Sequence, residues 1–164
     1  MGKKKIIFSK ASIIIAAKEY IKESYITMEY VARNYGVSQP ILSRNLFFAI
    51  ADGTLPDELA YAVSEKVINA YKDQIALRRN KWNKAFELRQ IHLELESYKT
   101  DFPYLVDEVK RIQGLLAWPD EDEKERLENE LYEAETKLSN AMNWVSNLIK
   151  ARKQIISTLS FSKP

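Results

Sequence analysis

Cysteine is absent from this chain and histidine occurs once, as His92. The first absence excludes disulfides, thiolate nucleophiles and zinc–cysteine sites. The second removes His-rich metal centres and most imidazole-based catalysis. Glycine (four) and proline (five) are scarce for 164 residues. Strand-rich sandwiches and barrels need frequent turn residues, so that scarcity argues against them. The longest apolar runs, such as Ile13 to Ala17, fall far short of the ~20 residues of a membrane span. The basic start is followed by too short an apolar stretch for a secretory signal. Ile6 stands where a myristoylation signal needs a hydroxyl. No phosphate-cradling glycine loop is present. These absences lead to the expectation of a soluble, cytoplasmic protein with no catalytic residues, metal or cofactor and no membrane partner.

What is present favours helix. Hydrophobic residues make up 46% and charged residues 29%, a globular balance, with Lys, Glu, Leu, Ala and Ile abundant. The net charge of +2 conceals segregation. Residues 1–100 carry an excess of five positive charges, residues 101–135 an excess of eight negative, and residues 136–164 five basic residues and no acid. Acids opening a helix and bases towards its end suit the helix macrodipole, which accounts for much of the pattern after 120. The acidic run Asp120 to Glu125 lacks the glycine and oxygen spacing of a calcium loop and reads as a solvated first turn.

Capping and periodicity place the elements. Residues 2–8 form a basic arm. Ser9 or Ser12 caps a first helix through Ile13, Ile14, Ala17 and Tyr20, and Thr27 caps a second, Met28 to Tyr35, closed by Gly36. Ser38 caps a third from Gln39 to near Asp52-Gly53, with Pro40 in its first turn. Pro56 or Asp57 opens a long helix expected to reach Tyr98. Thr100-Asp101-Phe102-Pro103 is the next expected break, followed by a shorter helix to Trp118-Pro119. From Glu121 to near Ser157 the stripe Leu127, Leu131, Ala134, Leu138, Ala141, Val145, Leu148 alternates four-three spacing, as in a coiled coil. Leu127, Leu131, Leu138, Val145 and Leu148 are therefore candidates for a seam, within one chain or between copies. Trp82, Phe86 and Trp144 fall at core spacing, and His92 among Leu88, Ile91 and Leu95 reads as packed or surface histidine. The expected fold is all-α: a helix-turn-helix domain over 1–56, then a long helical, coiled-coil-like hairpin over 57–164.

The informative stretch is Thr27 to Leu46, TMEYVARNYGVSQPILSRNL. Ala32 is small where two helices must cross, Gly36 turns sharply, and Val31, Val37 and Leu42 supply an apolar wedge. Ser38 caps the second helix, leaving Gln39, Pro40, Ser43 and Arg44 outward. This is the pattern of a helix-turn-helix whose second helix enters the DNA major groove. Asn45 stands where an apolar residue is common. Phe47 and Phe48 are expected to pack beneath the first and fourth helices.

Over Ser12 to Asn80 the chain resembles the sporulation stage III regulators, the SpoIIID-like helix-turn-helix proteins. The resemblance rests on Tyr20-Ile21, then VARNYGVSQPILSRNL, then LPDELAYAV and Arg78-Arg79. That family also carries a polar residue at the place of Asn45. It implies a transcription regulator reading the major groove with the helix after Gly36. It also implies a basic segment, here Arg78 and Arg79, touching adjacent DNA. Beyond Asn80 a long helical region replaces the family's short tail.

By chemistry, Arg44 suits guanine and Gln39 suits adenine, with Ser43 the third candidate for base readout. Thr27, Tyr30 and Ser38, near helix N-termini, and the cluster Arg78, Arg79, Lys81, Lys84 and Arg89 are candidates for phosphate. The expected partner is double-stranded DNA, bound by a bacterial or bacteriophage regulator whose helical arm is a candidate for forming a homodimer or higher homo-oligomer. Two alternatives are a DNA-packaging recognition subunit resembling phage small terminases, and a helical protein-binding adaptor without DNA affinity.

Overall fold

The computed structural model describes residues 8–159. They are all-α: α1 (Lys10–Lys22), α2 (Met28–Asn34), α3 (Gln39–Ala51), α4 (Asp57–Asn69), a single 3-10 turn (Lys72–Gln74), α5 (Ile75–Leu116) and α6 (Glu121–Thr158). No strand occurs among the described residues, and none of their helices is long and apolar enough to cross a membrane. The expected arm at Lys3–Lys5 lies outside them.

The chain forms two compact units. Among the described residues, one comprises 8–92 together with 157–159, and the other is Leu93–Ile156. The boundary expected at 56 is thus displaced: α4 and the first half of α5 belong with the N-terminal helices.

In the first unit, α1 packs on α2, α3 and α4, and α2 packs on α3. Ser9 is the cap of α1, its Oγ accepting from the Ser12 N–H at 3.1 Å. Ile13, Ala16, Ala17 and Tyr20 are buried at three-four spacing, as are Leu59, Ala60, Val63 and Val67 of α4. The alanines carry no side chain beyond Cβ and let the backbones approach. Lys66 Nζ donates to the carbonyls of Tyr20 and Glu23 (2.8 Å to the latter), capping the end of α1, and lies 4.3 Å from the Tyr20 ring centre. A cation there also complements the helix dipole.

The helix expected from 57 to 98 is two helices. The chain leaves α4 at Ala70 and turns over Lys72–Gln74 before α5 begins. No glycine or proline marks this break. Arg78 reaches back instead: Nη1 donates to the Val67 carbonyl (3.2 Å), and the guanidinium lies 4.1 Å from the Tyr71 ring centre. The turn allows Trp82, Ala85 and Leu88 to be buried, with Trp82 edge-on to Phe47 at 5.5 Å. Phe47 therefore meets α5, a partner beyond the first and fourth helices expected for it.

The break expected at Thr100–Pro103 does not occur. Pro103 sits inside α5. Its nitrogen cannot donate to Lys99, a loss of ~3 kcal/mol in a helix interior. Packing offsets it. In the second unit Val109 and Ile112 of α5 meet Ala134 of α6, with Leu116, Leu131 and Leu138 against them. Each buried Leu or Ile contributes about 2 kcal/mol. α6 keeps the expected span and stripe: Leu127, Ala134, Ala141 and Leu148 are buried and Val145 half-buried. Its first turn carries Glu121, Asp122 and Glu123. Trp144 departs from its expected core place. It is 48% exposed, with Nε1 donating to Glu94 at 3.2 Å.

Candidate nucleic-acid interface

The turn between α2 and α3 is built as its sequence demands. Thr27 Oγ1 accepts from the Tyr30 N–H (3.1 Å), capping α2. At the other end the Gly36 N–H donates to the Arg33 carbonyl (3.0 Å) and the Val37 N–H to the Ala32 carbonyl (3.0 Å). This paired closure requires a residue in left-handed conformation, and Gly36 has φ +66°. Val31 and Ala32 are buried beneath the turn and so is Leu42. Ser38 is the cap of α3 in backbone geometry, its carbonyl accepting from Leu42 at 3.2 Å. Its hydroxyl makes no capping bond, so that expectation fails in its side chain. Ser38 is exposed and its Oγ is left to other acceptors or donors.

α3 changes character along its length. Its first half presents Gln39 and Ser43 half-buried, with Pro40, Ile41 and Arg44 exposed. Its second half is submerged: Leu46, Phe47, Ala49, Ile50 and Ala51 are buried. Ser43 stands one turn after Gln39 and Arg44 one turn after Pro40, so the open part forms a strip about two turns long. Asn45 is turned back on its own helix, Nδ2 donating to the Ile41 carbonyl at 2.8 Å. Its polar group needs no partner in the core, and Leu46 fills the core position beside it.

Tyr30 is 55% exposed on α2, beside the exposed ion pair Arg33–Glu29 (2.8 Å). Glu29, Arg33, Val37, Ser38 and Gln39 line one shallow depression of about 380 Å³. Sequence reasoning passed over Arg33; the signal was Glu29 four residues earlier, which places the guanidinium beside the turn.

The basic cluster from Arg78 to Arg89 does not form an open stripe. Arg78 is held against Val67 and Tyr71. Arg79 faces Glu65 at 3.5 Å. Lys81 is half-buried, and burial, reinforced by Arg78, lowers its ammonium below the usual lysine range. Lys84 Nζ donates to Thr158 Oγ1 (3.1 Å). Arg89 Nη1 donates to the Ile50 carbonyl (3.1 Å) and Nη2 to Asp57 (2.5 Å). These cations chiefly tie helices together. The candidate seam residues Leu127, Leu131, Leu138 and Leu148 are likewise buried or half-buried in the single chain. No family model, curated protein or solved structure matches this chain.

Proposed function

We propose that the chain is a sequence-specific double-stranded DNA-binding protein of the transcription-regulator class, and that α3 enters the major groove. The observation that carries this reading is the division of α3 into an open N-terminal half and a buried C-terminal half behind the Gly36 turn. Helices that read DNA in this manner touch base edges with their N-terminal residues while the rest holds them in the domain. Arg44, exposed on that half, suits the O6 and N7 of guanine; Gln39 suits adenine, and Ser43 either. Thr27, Tyr30 and Ser38 flank the strip and supply phosphate contacts, with Arg33 as an added candidate.

Selection from a random duplex pool at about 0.15 M salt tests the reading, because salt suppresses binding through phosphate alone. One enriched motif, relaxed at one position by Arg44→Ala, is the expected result. A palindrome would indicate two chains per site. Binding without a motif, or none, overturns the regulator reading.

A further inference from the structure

We propose that the furrow between α4 and α5 binds an arginine-bearing peptide segment of a partner protein. Both helices offer positions i, i+3, i+4 and i+7 to it: 61, 64, 65 and 68 from α4, and 83, 86, 87 and 90 from α5. The furrow encloses about 430 Å³ and follows two turns of each helix. That run is about 10 Å, the length of three extended residues. The floor is apolar. Tyr61 and Phe86 stack nearly parallel, ring centres 4.8 Å apart and planes 15° apart, and Ile68 continues the surface. Tyr61 is 60% exposed, so the part of its ring turned away from Phe86 is left for a ligand.

The charges lining the furrow are of one sign, the carboxylates of Glu65 and Glu87. Among the described residues no cation pairs with Glu87, and Glu65 has only the long, exposed contact with Arg79 at 3.5 Å. Exposed pairs of that kind hold weakly and yield to a competitor. A guanidinium fits this combination better than an ammonium. It is planar, stacks on aromatic faces, and presents donors in its plane to carboxylate and amide oxygens. Asn83 and Gln90 place such amides at the two ends of the α5 row. The buried Ser64 is not available, since its Oγ donates to the Tyr61 carbonyl at 3.0 Å. The furrow shares no lining residue with α3, so the inference does not depend on DNA binding.

Titration of the full chain with the tripeptide acetyl-Leu-Arg-Leu-amide, followed by amide chemical shifts, tests the proposal. Shifts confined to the two rows and a Kd of about 1 mM are expected for so small a ligand. Replacing arginine by citrulline, the neutral isostere, should weaken binding at least about tenfold. Tyr61→Ala and Glu87→Gln, both at exposed positions, should each weaken it about threefold to tenfold with an unchanged circular-dichroism spectrum. Absence of shifts in the two rows at about 10 mM peptide overturns the proposal. Equal binding of the citrulline peptide also overturns it, because the carboxylates would then play no part. Spermidine producing the same shifts at equal affinity would replace the peptide with a free polyamine and overturn the assignment of the partner.

Discussion

Arg89 of α5 donates to the carbonyl of Ile50, in the last turn of α3, at 3.1 Å, while its other terminal nitrogen reaches Asp57 in the first turn of α4. One guanidinium therefore ties a helix-end carbonyl, which also accepts from the Gly53 N–H at 3.3 Å, to a carboxylate at the start of the next helix. Its side chain is 11% exposed, while that of Asp57 is 77% exposed. The carbonyl bond carries most of the stabilisation, because solvent screens the carboxylate. Arg89→Ala should cost about 2 kcal/mol, read as a lower urea midpoint with unchanged slope. Asp57→Asn should cost less than about 1 kcal/mol.

Arg44 and Arg78 should separate by phenotype. Arg44→Ala should leave the thermal midpoint in place and lose about 1–3 kcal/mol of preference at one base pair. Arg78→Ala removes the donor to Val67 and the stack on Tyr71. It should lower the thermal midpoint while the salt slope of any DNA binding stays the same. A salt slope shallower by about one would instead return Arg78 to the phosphate backbone.

The Tyr20 phenol is pushed up to about 12, chiefly by burial, with Arg78 pulling it down and Tyr71 pushing it up. The unfolded chain releases the same proton near pH ~10. The folded state thus holds the proton more tightly. Its contribution is complete below about pH 10 and is lost as pH rises towards 12, amounting to about 2 kcal/mol. Urea denaturation across that interval should show the decline, and Tyr20→Phe should flatten it.

Gly36→Ala should destabilise by about 1 kcal/mol because a Cβ is strained at positive φ. No atom lies within 4 Å of that Cβ, so the cost is conformational and not a clash. Gly36→Asn, which tolerates this region better, should recover part of it. Chemical denaturation of the three proteins checks the order.

Leu127→Ala should destabilise by about 2–3 kcal/mol, since the side chain is 4% exposed in the single chain. The shift in midpoint should be the same at every protein concentration. A concentration-dependent shift would show that the seam joins two copies.

Much of this protein is legible in its sequence because the signals are local. Ala32, Gly36 and the hydroxyl at Thr27 dictate a capped helix, a left-handed turn and a close crossing. The stripe from Leu127 to Leu148 dictates one inward face of α6, whose acidic first turn follows Asp120. The open half of α3 was equally readable from Gln39, Ser43 and Arg44. Its apolar second half became intelligible only when Phe47 was found against Trp82, thirty-five residues away.

Tertiary structure decided the remainder. Nothing between Asn69 and Gln74 breaks a helix by propensity; the bend exists because Arg78 caps Val67 and Trp82 reaches the core. Pro103 should end a helix by local rules, and α5 runs through it because the packing of Val109 and Ile112 outweighs one missing hydrogen bond. Arg78 and Arg89 read as free cations until backbone carbonyls, which no side-chain pattern records, are brought beside them. Capping and periodicity act within a few residues and are written in the chain. Contacts between distant residues form only on folding, and there they override a single local preference.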